Sequence, residues 1–584
     1  MSDIGRMLPG EPAAAKAALR EFLKSDPLNP EAYRLLAAAH DELRRNSGGV
    51  VRTNLSAQGQ AQLMEAARAL QADDLPTAEI YLRARLLDEP TDVDALRMLA
   101  DFATRLGMAR HSIGLLRYAI ELAPDFVAAK LALAKGLHEQ NRNDDALALI
   151  EEVLEQEPSN PSYLYTKAIV LGHAGRFGET IAIYERLLRE SPESAKLWAS
   201  YGRSLKTVGR SEEGIAAFRR AIDIEPTLGE AWWSLSDLKT VKFDDADVAT
   251  MEGILMRRLL SEKDRYYLHF ALGKAYEDQQ AFGPSFSHYA EGNRIRAEGL
   301  DHDPSRLSSH ISGTVGAFTK QFFEDRAGWG SSSDDPIFIL GMSRAGSTLI
   351  EQILSSHSRI EGTMELPNLP GIALDLSENF EGQLDAIHAL GPEQCRELGD
   401  RYIRETQAYR KTNRPFFIDK LPNNWLYVPL IQLILPKARI IDARRHPMAC
   451  CFSNFKQNYA VGQTFSYDLT DLGTYYSNYV RMMAHIDEVL PGKVHRVFHE
   501  KLVDDPEREI RRLLDYLQWP FEEACLRFHE TKRAVRTASA EQVRRPINRS
   551  GVDQWRHYEA WLGPLKQALG PVLDSYPDVP DFPD

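Results

Sequence analysis

Residues 336–350 read PIFILGMSRAGSTLI, and they indicate the fold of the second half of the chain. A short apolar run typical of a buried strand leads into a loop between two glycines, and an amphipathic helix follows. This arrangement suits a phosphate-like anion, because backbone N–H groups and a helix N-terminus face it. ATP- and GTP-binding loops place Lys directly after the second glycine. Here Ser347 occupies that position and the positive charge lies inside the loop at Arg344, so we expect a ligand other than a nucleoside triphosphate.

Bulk composition narrows the protein class. A chain of 584 residues is too long for one core and should form two or more domains. The net charge of −14 argues against nucleic-acid binding, so an anionic ligand needs locally concentrated arginines. The cysteines form neither a disulfide framework nor a zinc pattern; they are Cys395, Cys450, Cys451 and Cys525. With no apolar signal core and no run of membrane-spanning length, we expect a cytoplasmic protein without a membrane span.

The first half of the chain is a repeat array. Prolines recur every 34 residues, at Pro90, Pro124, Pro158, Pro192 and Pro226. Glycines keep the same register, with an asparagine in one slot: Gly107, Asn141, Gly175 and Gly209. Paired amphipathic segments lie between these markers, and a 34-residue helix–turn–helix period is the tetratricopeptide signature. We expect an all-α solenoid whose concave surface binds a protein or peptide; the alternative is an array that packs only against the second domain.

Beyond a Gly/Ser/Asp-rich linker at 325–335, strand-like and helix-like runs alternate. The predicted strands are Ile337–Leu340, Pro415–Ile418, Arg439–Ala443 and Val494–Phe498. This alternation predicts an α/β domain with a central parallel sheet, and such sheets bind ligands at the carboxyl ends of their strands. We therefore predict a tetratricopeptide array at 1–300, a connecting segment at 301–334 and a P-loop-like α/β domain at 335–584.

Four further segments carry polar side chains that could belong to a site, and two of them lie at the ends of predicted strands. Residues 439–447 read RIIDARRHP, and Ser453 follows Arg445 by eight residues on the next helix. Residues 419–422 read DKLP and close a strand, whereas 362–366 read GTMEL and follow the first helix. Near the C-terminus, residues 536–547 read RTASAEQVRRPI.

In this order, these segments and the loop at 343–348 resemble those of sulfotransferases that use PAPS (3′-phosphoadenosine 5′-phosphosulfate). Over residues 335–560 the chain is similar to the tyrosylprotein sulfotransferases, and with its repeats it resembles bacterial tetratricopeptide-repeat sulfotransferases. The resemblance implies that PAPS binds nine residues, Arg344, Ala345, Gly346, Ser347, Thr348, Arg445, Ser453, Ser539 and Arg545. Within this set, Arg445 and Ser453 hold the 3′-phosphate, and the loop residues hold the phosphosulfate.

The resemblance also implies a catalytic set of Glu365, Lys420 and Arg344. Glu365 would be the general base for the acceptor hydroxyl, a role that contributes ~10²–10⁴-fold in rate. Lys420 would stabilise the leaving group, and no metal is expected because Arg and Lys replace it. The rival base is His357, which lies on the predicted helix where the family has a structural histidine. Trp555 matches a family tryptophan.

Two departures from the family pattern leave alternatives open. Ser343 and Ala345 alter the phosphosulfate loop, and His499–Leu502 stands where the family has Y-E-D-L. We expect sulfuryl transfer from PAPS to an acceptor hydroxyl, with a peptide tyrosine as one acceptor class and glycans, lipids or small phenols as others. One alternative is a non-catalytic scaffold with a degenerate fold. The other is a nucleotide-dependent phosphotransferase, which the missing loop lysine argues against.

Overall fold

The structure is a computed structural model that describes residues 2–8, 10–47, 57–300, 302–377, 380–459, 462–531, 533–537 and 539–582. By its internal contacts the chain divides into two compact units, Met1–Pro192 and Glu193–Asp584. The sites predicted from the sequence all lie in the second unit.

Helices form the regular structure in the described part of the first unit, and most consecutive helices pack against each other. They are α1 (Ser2–Met7), α2 (Pro12–Ser25), α3 (Pro30–Ser47), α4 (Ala57–Gln71), α5 (Leu75–Asp88), α6 (Val93–Arg105), α7 (Ala109–Leu122), α8 (Val127–Glu139), α9 (Asn143–Gln156), α10 (Pro161–His173) and α11 (Phe177–Glu190). Side-chain caps begin several of them. The Asp92 carboxylate, for example, accepts from the Ala95 amide at 3.1 Å at the start of α6.

The repeat period predicted from the sequence is visible in where the helices begin. α6, α8 and α10 begin at Val93, Val127 and Pro161, which are 34 residues apart. Between the two helices of each repeat, the chain passes through a residue with positive φ; these residues are Asp73, Gly107, Asn141 and Gly175. Glycine enters this left-handed region without steric cost and asparagine with little, which explains why they keep the repeat register.

The second unit contains further helices and all the described strands. The helices are α12 (Ala195–Val208), α13 (Ser211–Ile224), α14 (Gly229–Ser236), α15 (Asp245–Leu255), α16 (Glu262–Asp278), α17 (Phe282–Glu298), α18 (Pro304–Ala317), α19 (Lys320–Glu324), α20 (Ser347–Ser355), α21 (Asn368–Leu376), α22 (Phe380–His388), α23 (Pro392–Thr406), α24 (Val428–Ile434), α25 (Pro447–Phe455), α26 (Leu469–Val489), α27 (His499–Asp504), α28 (Pro506–Leu517), α29 (Gly563–Leu569) and α30 (Pro571–Ser575). The 3₁₀ turns are Gln407–Tyr409, Pro422–Tyr427, Thr464–Tyr467, Glu523–Cys525, Phe528–Glu530, Gln542–Arg544 and Gln554–Trp561.

The strands form one parallel sheet in the order β2-β3-β1-β4-β5. They are β1 (Pro336–Gly341), β2 (Ile360–Gly362), β3 (Phe416–Lys420), β4 (Arg439–Arg444) and β5 (Val494–Phe498). Every residue of β1 is buried, as expected for a central strand covered on both faces. The carboxyl ends of β1, β3 and β4 therefore lie side by side, which brings the predicted site segments to one edge. The predicted fold class is confirmed.

The structure describes residues 302–334 of the predicted connecting segment. They contain α18 and α19, and both pack against α26. The Asn478 amide on α26 donates to the Ser308 hydroxyl at 2.9 Å, and the Ser331 amide donates to the Ile434 carbonyl at 2.8 Å. The domain bounds at 300 and 335 stay a prediction. In the described ranges, no helix combines the length and apolar character needed to cross a membrane.

Candidate active site

The candidate site begins where the chain passes from β1 to α20 through residues 342–346. A Cβ at Gly341 would lie 2.4 Å from the Ala443 carbonyl oxygen, so the loop approaches β4 as closely as glycine alone permits. A Cβ at Gly346 would lie 2.9 Å from Nδ1 of His499. At the start of α20 the Leu349 and Ile350 amides donate to the Gly346 carbonyl at 3.0 and 3.1 Å. The N–H groups before them have no acceptor within the helix, so this terminus favours an anion. The two glycines thus leave an open cradle at an anion-binding helix start.

Arg344, inside the loop, has a φ of 65°, which is uncommon for a residue with a side chain. Its guanidinium donates to the hydroxyl of Ser453 at 3.1 Å and to that of Ser539 at 2.6 Å. The sequence separates these three residues widely, and the structure joins them in one hydrogen-bonded group. Backbone strain of this kind persists where the surrounding structure requires it, often at functional sites.

The helix after β4 holds the loop from the other side. Arg445 donates through Nη1 to the Arg344 carbonyl at 3.0 Å, and the Asn454 side chain donates to the Ser343 carbonyl at 2.8 Å. Asn454 is fully buried and its amide oxygen accepts from the Tyr459 hydroxyl at 2.6 Å. α25 therefore fixes the conformation of the loop as well as presenting Ser453.

A cavity of about 430 Å³ lies beside the loop. Its walls include six of the residues predicted to bind PAPS: Arg344, Gly346, Arg445, Ser453, Ser539 and Arg545. The other three, Ala345, Ser347 and Thr348, are buried and lie close in sequence to Arg344 and Gly346. The Ala345 amide donates to the Met342 carbonyl at 3.2 Å. Trp555 also lines the cavity, stacked on His446.

The cavity wall suits an anionic ligand with hydrogen-bonding groups. Among the described residues, three buried side-chain atoms on this wall lack a hydrogen-bond partner: Nε of Arg445, Nδ1 of His499 and Oδ2 of Asp278. Buried polar atoms without partners are costly, so a ligand that satisfies them gains affinity. Burial and the charges of Arg445 and Arg344 lower the pKa of His499 to about 3, so this ring is neutral at physiological pH.

Two of the three predicted catalytic residues, Glu365 and Lys420, lie together and do not line this cavity, whereas Arg344 does. Lys420 ends β3, and its Nζ donates to Oε1 of Glu365 at 2.5 Å. The Lys420 side chain is 1% exposed, whereas that of Glu365 is 45% exposed. The sequence assigned the two residues separate roles, and the structure shows that they form an ion pair.

The segment that carries Glu365 is attached to the end of β3. The Thr363 hydroxyl donates to the Ile418 carbonyl at 2.5 Å, and the Leu366 amide is hydrogen-bonded to the Asp419 carboxylate. Asp419 is fully buried and also accepts from the Tyr402 hydroxyl at 2.7 Å. Burial raises its pKa to about 7, although these hydrogen bonds act in the opposite direction. Asp419 thus positions the Glu365 segment next to Lys420.

The alternative candidate for the general base, His357, is buried and bonded to the protein backbone. Its side chain is fully buried, its Nε2 lies 3.1 Å from the Pro520 carbonyl, and its Nδ1 accepts from the Arg359 amide at 3.2 Å. Both ring nitrogens are therefore engaged, and a base must have one free for the substrate proton.

Two residues that contribute to this site, Asn454 and His499, were not identified from the sequence. Asn454 follows Ser453 directly, yet a single asparagine on an apolar helix carries no signal of its own. His499 was noted only as a departure from the family pattern. Its contact with Gly346 depends on β5 lying beside β4, which the chain order alone does not specify.

Comparisons with known proteins agree with this geometry. Residues 336–523 match the Sulfotransferase family, and residues 10–49, 109–161, 131–195 and 165–229 match the tetratricopeptide repeat. The chain carries a sulfotransferase-family domain and tetratricopeptide repeats. The resemblance seen in the sequence motifs is confirmed for the presence of a sulfotransferase-family domain and of tetratricopeptide repeats. The sulfotransferase domain contains the loop, Lys420, Arg445 and Ser453.

Three similar proteins each match part of this chain. An uncharacterized protein of Aquifex aeolicus (strain VF5) is 31% identical over 360 residues, which are 59% of this chain and 47% of that protein. This chain thus spans about half the length of that relative. A "Putative protein-tyrosine sulfotransferase" of Caenorhabditis briggsae is 25% identical over 232 residues, 38% of this chain and 82% of that protein. The solved sulfotransferase domain of the Synechococcus PCC 7002 olefin synthase is 23% identical, with a TM-score of 0.30, and covers 38% of this chain and 88% of that one.

Proposed function

We propose that this protein is a PAPS-dependent sulfotransferase that moves a sulfuryl group to an acceptor hydroxyl. The observation that carries the proposal is the cavity at the glycine-flanked loop, where Arg344, Arg445, Ser453 and Ser539 converge within the sulfotransferase domain. A donor with two anionic ends, a 5′-phosphosulfate and a 3′-phosphate, fits the open cradle at Gly346 and the unsatisfied Arg445 Nε.

The chain's own residues would bind and orient this donor. Gly346, Ser347 and Thr348 offer the first turn of α20 to the phosphosulfate, and Arg445 and Ser453 face the 3′-phosphate. Hydrogen bonds to charged groups contribute roughly 1.5–3 kcal/mol each, more than the ~0.3–1 kcal/mol of a helix terminus, so the arginines should dominate affinity. PAPS supplies an activated sulfuryl group when it is bound.

Glu365 and Lys420 would handle the proton and the developing charge. Glu365 accepts the proton of the acceptor hydroxyl, and Lys420 holds positive charge for the bridging oxygen. The 2.5 Å ion pair holds the two side chains in a fixed orientation relative to each other. Positioning two reactants accounts for much of the acceleration in group transfer of this kind, by analogy with phosphoryl transfer.

We further propose a peptide tyrosine as the acceptor. The support is the name of the Caenorhabditis relatives and the repeat array, because repeats of this type offer a surface suited to peptides. Glycan and small-molecule hydroxyls are the alternative acceptors. We also propose a cytoplasmic location, since the cysteines of the described residues are buried and free of disulfides.

Calorimetry with PAP, the desulfated product, tests the donor assignment. Wild type should bind PAP and not ATP, and Arg445→Ala should lose most of the PAP affinity. Arg508→Ala, an exposed arginine on α28, is the matched control and should bind as wild type does. A wild type that fails to bind PAP would overturn the proposal and leave a non-catalytic scaffold. PAP formation from PAPS with a tyrosine peptide, compared with the Phe peptide, then tests the acceptor.

A further inference from the structure

Arg533 lies between α20, the helix that follows the anion-binding loop, and the segment that carries Glu365. Its side chain is 16% exposed, and its Nη2 donates to Oε1 of Glu351 at 2.5 Å. Glu351 lies on α20 with its side chain 1% exposed. Nη1 of the arginine donates to two further side chains of α20, the amide oxygen of Gln352 and the hydroxyl of Ser355, both at 3.3 Å. One face of the guanidinium group is thus bonded to the helix whose first turn faces the proposed donor.

The same guanidinium packs against the end of β2. A Cβ at Gly362 would lie 2.9 Å from Nη1 of Arg533 and 3.0 Å from its Cζ, so a larger residue there would displace the guanidinium. Nη2 also donates to the Thr363 carbonyl at 3.4 Å, two residues before Glu365. Because a guanidinium is planar and presents its N–H groups in fixed directions, this one side chain holds α20 and the Glu365 segment in a set arrangement.

The part of the C-terminal segment that lines the cavity has anchors of its own. The Val535 amide donates to the Thr207 carbonyl at 3.2 Å, and the Ser211 hydroxyl donates to the Glu541 carboxylate at 2.9 Å. Glu541 lines the cavity, whereas Arg533 is absent from the described residues that do so. Loss of the Arg533 contacts therefore leaves the attachment of the cavity wall in place.

We propose that Arg533 is a positioning residue for the general base. It holds the Glu365 segment against α20 and so sets the distance between the carboxylate and a donor bound at the start of that helix. The inference rests on the proposed function. A general base must lie within hydrogen-bond reach of the proton that it takes, and a misplacement of about 1 Å can cost ~10²-fold in rate. Removing the guanidinium should slow the chemical step more than it weakens donor binding.

Arg533→Met in the full chain tests this by turnover, donor binding and hydrogen exchange. Methionine keeps an apolar stem but cannot donate a hydrogen bond. PAP formation from saturating PAPS with a tyrosine peptide should fall by about 10- to 100-fold. The PAP affinity measured by calorimetry should change by less than about threefold. Amide hydrogen exchange at 360–366 should become faster, because this segment loses its attachment to α20, and exchange at 342–350 should match wild type.

Two further variants separate positioning from stability. Arg533→Met leaves the Glu351 carboxylate buried without its partner, so its melting temperature should fall. Glu351→Gln/Arg533→Met removes both charges of the pair, so stability should return towards wild type while turnover stays low and exchange at 360–366 stays fast. Arg527→Met removes an exposed arginine whose carboxylate partner, Glu523, is 3.8 Å away, and it should leave every readout unchanged.

The outcomes distinguish this inference from the proposed function. If Arg533→Met weakens PAP binding as much as it slows turnover, Arg533 acts on the donor site and the inference is refuted. It is also refuted if turnover and exchange match wild type, or if the double variant regains turnover together with stability. If wild type binds PAP but does not sulfate the tyrosine peptide, faster exchange at 360–366 with unchanged PAP affinity supports the inference, and unchanged exchange refutes it. If wild type binds no PAP, the proposed function and this inference both fail.

Discussion

Replacing Glu365 by Gln tests the catalytic pair, and the structure sets the size of the effect on stability. The ion pair joins a Lys420 side chain that is 1% exposed to a Glu365 side chain that is 45% exposed, at 2.5 Å. Exposed ion pairs contribute ~0–1 kcal/mol, whereas removing one partner of a buried pair costs ~3–5 kcal/mol. A pair with one buried and one half-exposed partner lies between these limits, so Glu365→Gln should cost about 2 kcal/mol of folding free energy.

The effect on turnover should be larger than the effect on folding. Loss of a general base lowers the rate by ~10²–10⁴-fold, equivalent to about 3–5 kcal/mol in the barrier. A domain with a typical stability of ~5–15 kcal/mol stays folded after losing about 2 kcal/mol. Since Glu365 does not line the cavity, PAP affinity should be unchanged. The assay is the rate of PAP formation at saturating PAPS, with PAP binding measured in parallel by calorimetry.

Two controls separate chemistry from folding. In the double variant Glu365→Gln/Lys420→Met no buried charge is left unpaired, so it should regain stability and stay inactive. Glu21→Gln breaks an exposed lysine–glutamate pair of similar length, 2.6 Å to Lys24, and should leave both stability and turnover unchanged. A Glu365→Gln enzyme that keeps more than about a tenth of wild-type turnover would refute the assignment of the base.

Further expectations concern Lys420, the loop and Asp419. Lys420→Ala should lower turnover by ~10²–10³-fold, as for loss of one transition-state donor, and near-normal rates would remove this residue from the mechanism. Gly346→Ala forces a Cβ to within 2.9 Å of the His499 ring, so PAP affinity should fall in calorimetry; Gly328→Ala, also at positive φ but with open space around it, should bind PAP normally. The pKa of Asp419, about 7 in the fold, lies above its ordinary ~3.9, so wild type should lose stability as pH rises from about 4 to about 7. Thermal melts at several pH values should show Asp419→Asn gaining stability relative to wild type over this pH range. Parallel curves of stability against pH for the two proteins would contradict a link between folding and the ionisation of Asp419.

The features that the sequence predicted correctly are those with strong local signals. The 34-residue register appears directly in the spacing of the helices, and the left-handed turns at Gly107 and Asn141 explain the residues that mark it. Strands β1, β3, β4 and β5 were found because each is a short strand-like run that alternates with a helix-like one. The loop, Arg445 and Ser453 lie close together because they follow neighbouring strands of the sheet, and the roles of these residues stay predictions.

The features that were missed depend on contacts between distant segments. β2 has three residues, Ile360–Gly362, which is too short for any periodic pattern to show. The Gly/Ser/Asp-rich stretch that suggested a linker is anchored by Ser331, whose amide meets the end of α24. The pairing of Glu365 with Lys420 requires the 363–366 segment to fold back on β3. Neither the types of these residues nor their spacing in the sequence indicates this fold-back.

The composition of the cavity wall also has a consequence for biosynthesis. Its lining runs from Trp233, ahead of the sheet, to Trp555, near the end of the chain. A nascent chain on the ribosome therefore has the anion-binding loop long before it has the basic C-terminal segment that completes the pocket. Because a ligand stabilises only the state that binds it, a ligand of this cavity cannot assist the early stages of folding. It can act only after the segment that reaches Trp555 has been synthesised, where it would shift the balance from late intermediates to the native fold.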